Sequence, residues 1–94
     1  MSDKQAYEKK LEAQIDEWNA EIDKLKAQAK KASADAEADY EKEIDKLESR
    51  RDDMKDKLEE FKSASEDAWK DVKDGVESAW SSMSDAVSSA ASRF

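Results

Sequence analysis

The sequence predicts an all-α protein whose main element is a long amphipathic helix. Three observations indicate this class: 45% of the 94 residues are charged, the chain has one glycine and no proline, and apolar residues recur every three or four positions. The apolar period is closer to 3.6 than to 3.5 residues, which favours a near-straight or slightly right-handed coiled coil. A helical hairpin or a three-helix bundle is the alternative arrangement.

Residues 1–61 are predicted to form a charged helix. Ser2 and Gln5 match the capping-box pattern, so this helix is expected to begin near Asp3. The stretch 27–38 is rich in alanine and has no large apolar side chain. Because alanine is the strongest helix former, we predict that the helix continues through this stretch.

Residues 62–94 are predicted to form a serine-rich helix with an eleven-residue repeat. Apolar residues at this spacing open successive blocks: Phe61, Val72, Met83 and Phe94. Eleven residues make about three helical turns with roughly 20° left over, so one apolar face runs almost straight along the helix.

The boundary between these two parts is a candidate for a change of direction. Ser63 and Glu66 match the capping-box pattern, and acidic residues follow where a first helical turn would lie. The stretch 62–66 is therefore a candidate hinge, and an unbroken helix is its alternative, inside a single helical coiled-coil unit, 1–94.

The predicted interaction surface is one apolar stripe. A helix of this length would leave its apolar side in water, so the side must pack against another helix. We define the apolar stripe as these fifteen residues: Leu11, Ile15, Trp18, Ile22, Leu25, Ile44, Leu47, Leu58, Phe61, Trp69, Val72, Val76, Trp80, Met83 and Val87.

Two features of the stripe region have two interpretations each. The tryptophans Trp18, Trp69 and Trp80 are typical of a helix–helix seam, and also of an anchor at a lipid surface. Gly75 is either a tolerated glycine in a helix or a point where a partner helix approaches closely.

No pattern in the sequence indicates catalysis. The chain has neither histidine nor cysteine, and adjacent acids on a helix point to different faces. We therefore predict no catalytic, cofactor-binding or metal-binding residue, no cofactor and no enzymatic activity. The net charge of −8 disfavours nucleic acid as a partner, because phosphates are repelled. Without a recognisable signal peptide or membrane span, we expect a cytoplasmic protein, peripheral to a membrane if it binds lipid.

The final blocks, DAWKDVKDGVESAWSSMSDAVSSAASRF, place Trp69 and Trp80 at the same position of successive repeats. They resemble the tail of small uncharacterised bacterial coiled-coil proteins. The repeats are similar to those of exchangeable apolipoproteins, late-embryogenesis-abundant proteins and synucleins. That resemblance implies reversible lipid binding or protection during desiccation. The chain departs from these groups because it lacks the lysine-rich flanks of synucleins and the prolines of apolipoproteins.

These features predict a non-enzymatic helical protein that self-assembles. It would act as a scaffold or accessory subunit through helix–helix contacts, with a second copy or another helical protein as partner. The first alternative is peripheral binding of a lipid surface by the C-terminal repeats. The second alternative is a stress-protective chain, similar to late-embryogenesis-abundant proteins, that stays disordered until it is dried or bound.

Overall fold

The chain folds into three helices that pack side by side. A computed structural model describes residues 2–94, with α1 at Asp3–Lys31, α2 at Ala34–Ser63 and α3 at Trp69–Arg93. The rod they form measures 52 × 20 × 19 Å. The all-α class is confirmed, and the three-helix arrangement given as the alternative is the one observed. The prediction of a single long helix is wrong.

The start of α1 is the predicted one. Ser2 Oγ accepts a hydrogen bond from the Gln5 backbone N–H, and the Gln5 side chain accepts one from the Ser2 N–H, each at 3.2 Å. This reciprocal pair supplies acceptors for two N–H groups at the helix start. Helix α1 therefore begins at Asp3 because of the residues beside it.

The first break in the helix lies at Ala32 and Ser33. Both residues have extended backbone angles, with ψ of 161° and 162°, and Ser33 Oγ accepts from the Ala36 N–H at 3.4 Å. The prediction of a continuous helix through 27–38 is wrong. Alanine favours the helix locally, but each buried Leu or Ile contributes roughly 1.5–3 kcal/mol. Folding α2 back onto α1 buries many such residues, which outweighs the interrupted helix.

The second break spans residues 64–68. Helix α2 ends at Ser63, so the change of direction falls at the C-terminal side of the candidate 62–66 hinge. The capping residue differs from the prediction: Ser65 Oγ, rather than Ser63, accepts a hydrogen bond at this turn, from the Ala68 N–H at 3.1 Å. No side chain caps the start of α3 at Trp69.

The core runs the length of the rod between the helices. Helices α1 and α2 contribute large side chains to it, and α3 contributes smaller ones. The buried hydrophobic residues are Leu11, Ile15, Trp18, Ile22, Leu25, Ala29, Ile44, Leu47, Met54, Leu58, Phe61, Val76, Met83, Ala86 and Ala90. Within residues 2–94, no helix contains an apolar stretch long enough to cross a bilayer.

Candidate interaction surface

The apolar stripe faces the interior of the bundle. Eleven of its residues are buried, and the other four, Trp69, Val72, Trp80 and Val87, are half-buried and packed against the core. The seam between helices is therefore made within one chain. In this closed form the stripe has little surface left for a partner.

Aromatic side chains join α1 to α3 at two levels. The Trp18 and Trp80 rings meet edge to face, with centroids 5.4 Å apart. The Tyr7 and Trp69 rings are 6.3 Å apart, and Phe61 of α2 lies between 5 and 6 Å from both. Eleven residues separate the two levels on α1 and also on α3. The eleven-residue repeat of α3 thus matches a spacing on α1, and the two helices run parallel in register.

Tyr7 also makes a polar contact across the α1–α3 boundary. Its hydroxyl donates to Glu77 Oε1 at 3.4 Å, and the Lys73 ammonium lies 5.3 Å from its ring centroid. Burial raises the pKa of Tyr7 above its ordinary value, and the negative charge of Glu77 and the hydrogen bond raise it further. The protonated phenol is therefore the form that suits this contact.

Ion pairs along the rim fix the antiparallel register of α1 and α2. Lys62 Nζ lies 3.0 Å from Glu12 Oε1, and Lys26 Nζ lies 3.6 Å from Glu48 Oε1. The hydrogen bond with Glu12 raises the pKa of Lys62. Such exposed pairs contribute roughly 0–1 kcal/mol each, so they select the register more than they stabilise the fold.

One carboxylate is buried between α2 and α3, and nothing in the sequence indicated it. Glu43 is 7% exposed; its Oε1 accepts from Arg93 Nη1 at 2.9 Å, and its Oε2 is buried without a hydrogen-bond partner. Close by in sequence to both residues, the Tyr40 and Phe94 rings stack with centroids 3.9 Å apart. These contacts hold the end of α3 against the first turns of α2.

A long open groove lies between α2 and α3. We call it the α2/α3 groove; its volume is about 580 Å³. Charged side chains from α2 form one wall, and small residues of α3 form the floor. The lining residues are Arg50, Asp53, Asp56, Lys57, Glu60, Gly75, Ser78, Ala79 and Ser82.

The charged wall of the α2/α3 groove has an ordered pattern. Arg50 and Glu60 lie five positions either side of residue 55, and Asp53 and Lys57 lie two positions either side of it. Each pair combines a positive with a negative charge. When a second copy of this wall runs in the opposite direction, each of these charges therefore faces a charge of opposite sign.

Gly75 forms part of the groove floor, and its neighbourhood is open. A methyl group added there would meet only Lys57 Cδ, at 4.0 Å, which is ordinary van der Waals distance. No close helix packing inside this chain requires the glycine. Because Gly75 has no side chain, this part of the groove floor stays open.

No known protein family, curated protein or solved structure matches this chain. The function is therefore inferred from the groove, the core and the connections between helices.

Proposed function

We propose that this protein is a non-enzymatic, self-assembling helical scaffold or accessory subunit, and that two copies associate through the α2/α3 groove. The observation that carries the proposal is the self-complementary order of charge on the α2 wall. A surface that complements itself on reversal suits a two-fold dimer, in which the same patch is used by both copies.

The pairing of side chains follows from a two-fold axis at residue 55 of α2. Antiparallel packing of two copies brings Arg50 opposite Glu60 of the second copy, and Asp53 opposite its Lys57. The axis generates each pair twice. Asp56 meets no like charge, because the position that mirrors it is Met54, which is buried.

The floor of the groove has the same symmetry. The centre of the floor lies between Ser78 and Ala79, and Gly75 and Ser82 are equally far from it on either side. A two-fold axis at this centre therefore brings each small residue opposite another small residue. Lys57 lies beside Gly75, and Arg50 donates to Ser82, so the floor centre and the wall centre are at nearly the same level. Small residues let a second helix approach closely, because the interaxial distance depends on the side chains at the contact.

The expected dimer is weak and sensitive to salt. Exposed ion pairs contribute roughly 0–1 kcal/mol each and are screened by added salt. Helix packing over the small floor supplies the remaining attraction. We expect the mass in solution to rise with protein concentration and to fall back towards the monomer value in high salt.

A charge-exchange experiment tests this dimer. Asp53→Lys should weaken association in sedimentation or light-scattering series, because it places Lys opposite Lys57 of the second copy. Adding Lys57→Asp in the same chain should restore association. Asp45→Lys is the matched control, since Asp45 is exposed on the same helix and does not line the groove. A monomer at every concentration, or no rescue by the double variant, would contradict the proposal.

Lipid binding by α3 is the second candidate function. The half-buried Trp69 and Trp80 both lie on α3, which is joined to α2 by residues 64–68. If α3 swings away, both tryptophans reach a membrane surface at the depth they prefer. Anionic and neutral vesicles should then shift the emission of a Trp18→Phe variant to the blue. Unchanged emission with both kinds of vesicle rules this candidate out.

A further inference from the structure

The connection between α1 and α2 consists of two residues that are not specialised for turning. Ala32 and Ser33 have φ of −82° and −65°, and no residue among 2–94 has a positive φ. Such angles differ from helical ones only in ψ, which would change from about 160° to roughly −42°. The connection therefore needs two bond rotations to become helix.

The sequence on both sides of this connection favours that change. Residues 27–38 hold six alanines and neither glycine nor proline. At the break, helix ends leave N–H and C=O groups without intrahelical partners, and a continuous helix would supply those partners. A chain that straightened here would form one helix over residues 3–63, about 90 Å long.

We propose that two copies of this chain exchange α1 by straightening at Ala32 and Ser33. In the exchanged dimer, α1 of each copy packs on α2 and α3 of the other. The contacts that α1 makes with α2 and α3 in the monomer are then made between chains, including Trp18 against Trp80 and Glu12 against Lys62. Exchange of an identical element costs little, because the core is unchanged.

The centre of the exchanged dimer is suited to a crossing of two helices. Ala29, Ala32 and Ala36 fall on one face of the straightened helix, three and four residues apart. Small side chains on this face let the two long helices approach closely where they cross. The exchange uses α1 and this alanine face, and it is independent of the α2/α3 groove.

Ser33 and Ala34 set the balance between the two forms. The Ser33 side chain caps α2 only when the chain is bent, so Ser33→Ala should favour exchange roughly five-fold per helix. Ala34 is the first residue of α2, a position where proline is well tolerated, and Ser33 before it already has the extended angles that proline demands. The exchanged form places residue 34 inside a continuous helix, where proline is strongly destabilising. Ala34→Pro should therefore disfavour exchange roughly a hundredfold per helix.

Cross-linking distinguishes the bent from the exchanged form. Asn19 Oδ1 of α1 accepts from Arg51 Nη1 of α2 at 3.2 Å, and the chain has no native cysteine. Asn19→Cys with Arg51→Cys, joined by a short bis-maleimide, links residues of one chain in the monomer and of two chains in the exchanged dimer. Refolding this double variant at several hundred micromolar concentration should yield covalent dimers on a denaturing gel.

Variants of Ser33 and Ala34 test whether straightening at this connection produces the covalent dimer. Ser33→Ala should increase the covalent dimer, and Ala34→Pro should abolish it while circular dichroism stays helical. Small-angle scattering should show a particle longer than the 52 Å rod. Covalent dimers that persist in Ala34→Pro, or their absence from the parent and Ser33→Ala proteins, would overturn the exchange. Asp53→Lys should leave the covalent dimer unchanged, which separates exchange from association through the groove.

Discussion

Trp18 of α1 and Trp80 of α3 meet edge to face at 69°, with ring centroids 5.4 Å apart. Trp18 is 4% exposed and belongs to the core, whereas Trp80 is half-buried and packs against the core from its edge. The pair spans two helices that are parallel and far apart in sequence. Contacts of large side chains such as this one hold α1 against α3.

The tryptophan pair should show energetic coupling. Trp18→Leu and Trp80→Leu should each lower the free energy of unfolding, and the double variant should lose less than their sum by about 0.5–1.5 kcal/mol. Urea denaturation followed by circular dichroism measures all three. Trp18→Leu combined with Trp69→Leu is the control, since these rings lie at different levels and their effects should add. Full additivity of the first pair would contradict the edge-to-face contact.

Alkaline pH should destabilise the protein through Tyr7. Its pKa is raised in the folded state by burial and then by Glu77, so the stability it contributes is complete below pH 10. That contribution is lost as the pH rises through the folded pKa, because the unfolded phenol ionises first. The free energy of unfolding should therefore fall less steeply above pH 10 in Tyr7→Phe than in the parent protein. Lys62, whose pKa is also raised, is present in both proteins. If the free energy of unfolding falls equally steeply with pH in both, Tyr7 is not the group responsible.

Replacing Gly75 should stabilise the monomer. Gly75→Ala should raise the free energy of unfolding by about 0.5–1 kcal/mol, because alanine favours the helix and the added methyl group fits at this site. Thermal and urea unfolding measure the gain. Ser78→Gly, on the same exposed face of α3, is the converse control and should lose stability. A loss in Gly75→Ala would mean that the groove floor is more crowded than 4.0 Å allows.

Glu43 is a buried carboxylate whose hydrogen-bond donor, Arg93, is exposed, so the cost of this ion pair lies in the burial of Glu43. Arg93→Ala leaves the Glu43 carboxylate buried without its donor and should cost about 1–3 kcal/mol. Glu43→Leu removes a carboxylate whose Oε2 is unsatisfied, and it should be neutral or stabilising. In the Glu43→Leu background, Arg93→Ala should cost little. Denaturation of the four proteins forms a double-mutant cycle, and equal costs of Arg93→Ala in both backgrounds would argue against the pair.

The parts of the fold that follow from the sequence depend on local or periodic signals. Ser2 and Gln5 specify the start of α1 through their own side chains, and the 3.6-residue period identifies the apolar face of each helix. The break at Ala32 and Ser33 does not follow, because local propensity there favours helix. Long-range burial decides it, because core residues of α2 such as Met54 are buried only once the chain bends.

The α2/α3 groove likewise could not be predicted from the sequence alone. The charge order of Arg50, Asp53, Lys57 and Glu60 is present in the sequence, but several other α2 charges mask it. Only the packing of α3 shows which of these charges share one groove. The buried Glu43 cannot be predicted from the sequence for the same reason, since Arg93, its partner, lies fifty residues away.

The two aromatic levels also define a unit of length for this architecture. Eleven residues advance a helix by about 16 Å and rotate it by only about 20° beyond whole turns. A block of this size can therefore be added to each helix at one level while every apolar side chain keeps facing inwards. Seven-residue insertions rotate the face by about 20° in the opposite sense, whereas insertions of ten residues rotate it by about 80° and insertions of nine by about half a turn. Only a few insertion lengths therefore let this bundle grow by duplication with its apolar faces still turned inwards. Eleven residues is one of them, and it is the spacing between Trp69 and Trp80.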